Sequence, residues 1–285
     1  MRLLEGVETY VCRKRSGGLS YDKPASNLHG FTKQVGDVPL DRVTVQHVLD
    51  FLAGPRTSTT TWRKKHSILK HFFEFWASRG AMPPFLMPPI RPPCRQTFVP
   101  YIYTRAEIHT LLATVRVSQK PSWCKIDAPT FRTLLLTLYG TGALTGEILR
   151  LSREDVALNK GLVTIRGNRF GRSRCIPIGC DLREILRIYL NSKRRRQWKS
   201  EYLFVTKCGQ PVVARSLNAN FQRLRTIAGI ARYDGAVYQP RMHDLRSTFA
   251  VHRITSWIRN GADLNRMLPA LSAYMGQVGL NSVDR

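Results

Sequence analysis

The chain has 285 residues, with 45 Lys and Arg against 19 Asp and Glu, a formal charge of +26 and a pI near 10.6. Its 43% hydrophobic content excludes a disordered chain, and no apolar run approaches the ~18 residues of a membrane span. So positive a chain that can still build a core calls for a polyanion as partner, nucleic acid first.

The opening MRLLEGVETY has no apolar h-region, so no secretory signal is expected. Six cysteines, at 12, 94, 124, 175, 180 and 208, form no CxxC pair. They read as reduced thiols of a cytoplasmic protein, with no disulfide framework, metal site or small-molecule cofactor implied.

In chain order, helices are predicted over 4–15, over 42–52 and from Ser58 or Thr59 to Arg79, the last with Trp62, Leu69, Phe72, Phe73 and Trp76 at core spacing. Arg63, Lys64, Lys65, His66 and Lys70 occupy the rest of that helix's first half. A basic face of this kind is either solvated or turned to phosphates, and the net charge favours phosphates. Seven prolines between Pro83 and Pro100 allow neither helix nor central strand. They predict a semi-rigid linker over 83–100, between a helical domain over 1–82 and a larger domain over 101–285.

Beyond it, helices are predicted over 105–115 and 129–138, with Gly140-Thr141-Gly142 breaking the pattern, then over 145–151. A β-hairpin follows, Leu162–Arg166 and Arg174–Ile178, around an Arg-rich tip. Helices resume over 182–193, 215–228, 245–259 and 264–274. Lys193-Arg194-Arg195-Arg196 reads either as a cationic helix C-terminus or as a polyanion contact. The fold class is mainly α with a small antiparallel sheet.

The segment richest in chemistry is Arg241-Met242-His243-Asp244-Leu245-Arg246. At a helix start, His243 and Arg246 share one face, and an imidazole beside a guanidinium fork suits a phosphodiester. Alone, H-x-x-R is a weak signal. Three further segments strengthen it. Tyr139-Gly140-Thr141-Gly142-Ala143-Leu144-Thr145-Gly146-Glu147 resembles the first signature box of the tyrosine recombinase (phage integrase) family, and His243–Arg246 resembles its second. Asn168–Ile178 resembles that family's Lys-bearing β-turn, and Leu271–Val278 its stretch with a late His or Trp.

The resemblance covers about residues 101–285, and the first part is similar to the family's helical, SAM-like core-binding domain. It implies a DNA integration and recombination enzyme of a mobile element, such as a site-specific recombinase or transposase. Two Arg hold the scissile phosphate, a Tyr attacks it to give a 3′-phosphotyrosyl link, and a hairpin Lys protonates the leaving 5′-oxygen. Double-stranded DNA is the implied partner, with other recombinase subunits, in a bacterial cytoplasm at the nucleoid. Arg63, Lys64, Lys65, Lys70, Arg172 and Arg174 are the expected DNA contacts.

Position by position the match is uneven. Glu147, His243 and Arg246 are kept. Leu144 stands at the first Arg position, Arg169 at the Lys position and Gln277 at the late His position. Arg150, about 240° around the helix from Leu144, is not expected to replace the lost Arg. The nucleophilic Tyr falls nine or ten residues after the late His in the family, just past Arg285. The resemblance therefore implies a truncated, catalytically inactive DNA binder, with weaker subunit assembly. A repressor or competitor at recombination sites and a decayed element remnant are the alternatives. No RNP or KH motif supports RNA binding.

Overall fold

The computed structural model describes residues 1–17, 21–54, 58–92, 99–167, 173–236 and 238–276. The chain divides into two compact units, Met1–Thr97 and Phe98–Arg285, each with its own core.

The first unit packs α1 (Leu3–Ser16), α2 (Asp22–Val35), α3 (Val45–Leu52) and α4 (Thr59–Ala77), with a 3-10 turn at Leu40–Arg42. Helix α4 starts where Ser58 Oγ accepts the Thr61 amide, 3.2 Å away. The five apolar residues predicted for its core face are all buried. His66 departs from the basic face assigned to it. It is 5% exposed, stacks on Trp62 at 5.1 Å, and its Nε2 lies 2.7 Å from the Pro88 carbonyl. The reason is spacing, since 62, 66, 69 and 73 form one i, i+4, i+7, i+11 stripe.

Helix α2 is absent from the sequence expectations, because Pro24 and Gly30 disguise it. Pro24 lies in the first turn, where a missing N–H costs little, and Ala25, Leu28 and Phe31 are buried. Residues 83–92 of the Pro-rich segment are not a free spacer. Phe85 stacks on Phe73 at 4.2 Å, and the Arg91 carbonyl accepts from Arg63 Nη1 at 2.6 Å, so this stretch is an extended strap along α4. Residues 93–98 lie outside the described residues.

The second unit holds α5 (Arg105–Ser118), α6 (Ala128–Thr141), α7 (Thr145–Leu149), β1 (Val156–Ala157), β2 (Leu162–Ile165), β3 (Arg174–Pro177), α8 (Cys180–Asn191), α9 (Lys193–Arg196), α10 (Ala214–Ile227), α11 (Asp244–Arg259) and α12 (Leu264–Met275). The sheet is antiparallel in the order β1-β2-β3, with Val163 opposite Ile176 and Ile165 opposite Arg174. The fold is mainly α with a small antiparallel sheet, as the sequence implies; β1 is an addition to the predicted hairpin.

Helix α6 continues through Gly140 and Thr141 and stops only at Gly142, whose φ of +58° is left-handed. A Cβ there would lie 2.4 Å from Phe249 Cδ1, so glycine is required both by conformation and by the approach of α11.

The run 193–196 does not close α8, which ends at Asn191. Arg195 turns inward instead, 2% exposed, and donates to the carbonyls of Leu203 at 3.0 Å, Trp198 at 3.1 Å, Ser200 at 3.2 Å and Tyr202. A guanidinium carries five donors and suits a loop whose carbonyls have no ladder partner.

Candidate functional site

The site is assembled by the turn after α6, the start of α11 and the end of α12. Gly142 ends α6, Ala143 is buried, and Leu144 caps α7 with its amide 2.9 Å from Glu147 Oε2. That capping folds Glu147 inward, 3% exposed. There it meets Arg174 of β3 in a two-point pair, Nη1–Oε1 and Nη2–Oε2 both 2.8 Å. Burial alone would raise the Glu147 carboxyl. The Arg174 guanidinium and the Leu144 amide outweigh it, and the group titrates below the usual carboxylate range.

Arg174 also donates from Nε to the Tyr274 carbonyl at 2.9 Å. One residue on, the Met275 carbonyl accepts from Arg246 Nη2 at 3.0 Å, while Arg246 Nη1 reaches the Gly142 carbonyl at 2.5 Å. Two guanidiniums thus stitch the end of α12 to the α6–α7 turn. A Cβ at Gly276 would sit 2.6 Å from Arg174 Nη1, so the chain leaves α12 against that guanidinium.

Arg246 is the more reactive of the two toward an anion. Its described hydrogen-bond acceptors are neutral carbonyls, and burial brings it down to about 10 against the opposing pull of the nearby Glu147 carboxylate. A deeply set cation whose hydrogen bonds go to carbonyls gains from an arriving negative charge. His243, on the first turn with it, is pushed below the ordinary imidazole value by burial and then by the Arg246 and Arg241 charges. That shift favours its uncharged form, and a phosphate beside it would favour its protonation. A cleft of about 450 Å³ opens beside His243, lined by Asn218, Gln222 and Arg225 of α10 and by Tyr238 and Arg241.

His243, Arg246, Glu147 and Leu144 are brought together in this corner. Leu144, 38% exposed, offers no donor where an arginine would. Arg150 is turned away from Leu144: its Nη2 donates to the Gly167 carbonyl at 3.2 Å, at the root of the β2–β3 connection. Arg169, Arg172 and Gln277 lie outside the described residues. Tyr274 is structural, its hydroxyl 3.0 Å from the Pro177 carbonyl and its ring 5.7 Å from Phe249.

The cations expected to contact DNA divide. Arg174 is paired with Glu147 and its side chain is 13% exposed. Arg63 bonds the strap and Lys65 lies over Phe51 at 4.3 Å, whereas Lys64 and Lys70 are exposed. Arg225, which donates to the Ile230 carbonyl and Gln239 Oε1, and Arg241, paired with Asp244 at 3.1 Å, line the cleft and are missing from the sequence-derived set. Arg241, two residues before His243, had a visible signal, while Arg225 is brought there only by the packing of α10.

Residues 103–270 match the model of the phage integrase family. The integrase/recombinase candidate y4rE of Sinorhizobium fredii (strain NBRC 101917 / NGR234) is 29% identical over 276 residues, covering 95% of this chain and 87% of that protein. The tyrosine recombinase XerC of Staphylococcus carnosus (strain TM300) is 28% identical over 243 residues, covering 84% of this chain and 74% of that one. Among solved structures, a lambda integrase (75–356) dimer bound to a COC′ core site superposes with a TM-score of 0.66 at 16% identity. It covers 100% of this chain and 94% of that one, and shows the shared fold.

Proposed function

The chain belongs to the phage integrase family of tyrosine recombinases, and on that footing we propose that it occupies a DNA recombination site without cutting it. The reading rests on one corner. Arg246 and His243 are set for a phosphodiester, while the neighbouring arginine position is a half-exposed leucine, Leu144. In this chemistry, preorganised donors around the phosphate carry the rate, and losing one costs roughly 10²–10³-fold.

Both units carry positive charge, +8 over the first hundred residues and +18 over the rest. The first unit acts as a core-binding domain and the second as the phosphate-holding domain, with duplex DNA and further recombinase subunits as partners in a bacterial cytoplasm. Bound to a site without cleaving it, such a chain competes with active relatives for that site.

The test uses a nicked suicide duplex carrying an inverted repeat. A footprint on the repeat with no covalent protein–DNA adduct is the expected result. A covalent adduct would reject the non-cutting reading, and equal affinity for random duplex at matched salt would reject site occupancy.

A further inference from the structure

Trp123 lies in the α5–α6 loop and is 66% exposed. A single exposed aromatic side chain needs no function by itself. What sets this one apart is the layer beneath it. The Arg223 guanidinium sits 4.5 Å from the indole centroid and covers one face of the ring. That guanidinium is itself fixed by three acceptors: the Ser118 carbonyl at 3.0 Å, Cys124 Sγ at 2.9 Å and Asn220 Oδ1 at 2.8 Å. Ser118, Cys124 and Asn220 are all buried. The indole therefore lies on a rigid cationic support, with its outer side open to solvent.

The exposed charges of the loop are positive; its one acid, Asp127, is buried and caps α6 by accepting the Thr130 amide at 2.7 Å. Lys120 and Lys125 flank Trp123 in the loop and are exposed, and the Lys207 amide bonds the Lys125 carbonyl at 2.8 Å. Neither residues 116–126 nor α10 contains an Asp or Glu. An acidic protein surface would meet the lysines and an apolar one the indole, whereas a flat π-system carried on an anionic backbone meets both. Nucleic acid supplies both, with phosphates for the lysines and a base for the indole. A base within an intact duplex is already stacked on its neighbours, so the base must be unpaired.

The platform is separate from the corner holding Arg246. Asn218, Gln222 and Arg225 line the cleft beside His243, whereas Asn220 and Arg223 lie on the other flank of α10. We infer that Trp123, backed by Arg223 and carried on a loop with the exposed Lys120 and Lys125, is a stacking site for an unpaired base of a DNA strand. This site rests on the family reading only in taking nucleic acid as its partner.

The experiment measures binding of the full chain, at one salt concentration, to a labelled oligo-dT of twelve nucleotides, to an abasic strand of equal length and to a duplex. Wild type should bind oligo-dT about tenfold more tightly than the abasic strand, the size of one base–aromatic stack. Trp123→Ala should bind oligo-dT no better than the abasic strand, while Trp123→Phe keeps most of the preference. Equal wild-type affinity for oligo-dT and the abasic strand overturns the inference. So does oligo-dT binding unchanged by Trp123→Ala, or displacement of oligo-dT by poly-Glu at equal charge concentration. Duplex affinity should be the same in wild type and Trp123→Ala. Failure of wild type to bind duplex would count against the proposed function and not against the platform.

Discussion

Glu147 and Arg174, 27 residues apart in sequence, meet through two parallel hydrogen bonds of 2.8 Å in the interior of the second unit. The pair fastens α7 to β3. Through Arg174 Nε it also holds the end of α12. The position of Arg246's second carbonyl partner is therefore tied to this ion pair.

Replacing Glu147 with Gln leaves the Arg174 charge buried and without its counter-ion. A loss of about 3–5 kcal/mol of stability is expected, read by urea unfolding. Because the folded carboxyl titrates below its ordinary 4.5, wild-type stability from this pair is present above that pH. It is lost as pH falls through the folded value. A Glu147→Gln variant with the same acid-unfolding profile as wild type would contradict this.

His243 should make binding to DNA pH-dependent. Its value in the free protein lies below 6.5, and an adjacent phosphate raises it, so binding takes up a proton. Affinity should rise as pH falls from about 7.5 to about 5.5, by up to roughly tenfold, which corresponds to about 1.4 kcal/mol. In His243→Gln that rise should vanish. Anisotropy titrations at constant ionic strength provide the comparison.

Leu144→Arg tests the emptied corner. One more guanidinium at a phosphate should tighten duplex binding and steepen the log–log salt dependence by about 0.9. An unchanged salt slope would mean that position 144 does not face the DNA backbone.

Gly142 cannot accept a side chain without moving Phe249. Gly142→Ala should cost about 2 kcal/mol or more, from the left-handed φ and from the 2.4 Å clash. Phe249→Leu should recover part of that loss, giving a coupling of roughly 0.5–3 kcal/mol in a double-mutant cycle. Strict additivity would show that only the backbone matters.

Much of this molecule is legible from residue spacing. The core stripe of α4, the β2–β3 hairpin and the His243–Arg246 pair follow from local periodicity, because helix and strand periods dictate which side chains share a face. Helix α2 is less visible, since Pro24 and Gly30 lower its propensity and only packing of Leu28 and Phe31 secures it. Charge is the least legible property. A run of basic residues looks alike whether it meets solvent, phosphate or carbonyls.

Residue order alone is enough for the family, the mainly helical class and the identity of the residue at each signature position, including Leu144. Those properties need only local pattern and succession along the chain. Which cations are available is a matter of packing. Arg174 is bound to Glu147, Arg195 fills a loop of carbonyls, and Arg150 bends to Gly167. Arg246 faces neutral carbonyls. A guanidinium's availability depends on which acceptors lie within about 3 Å, and the meeting of segments distant in sequence sets that.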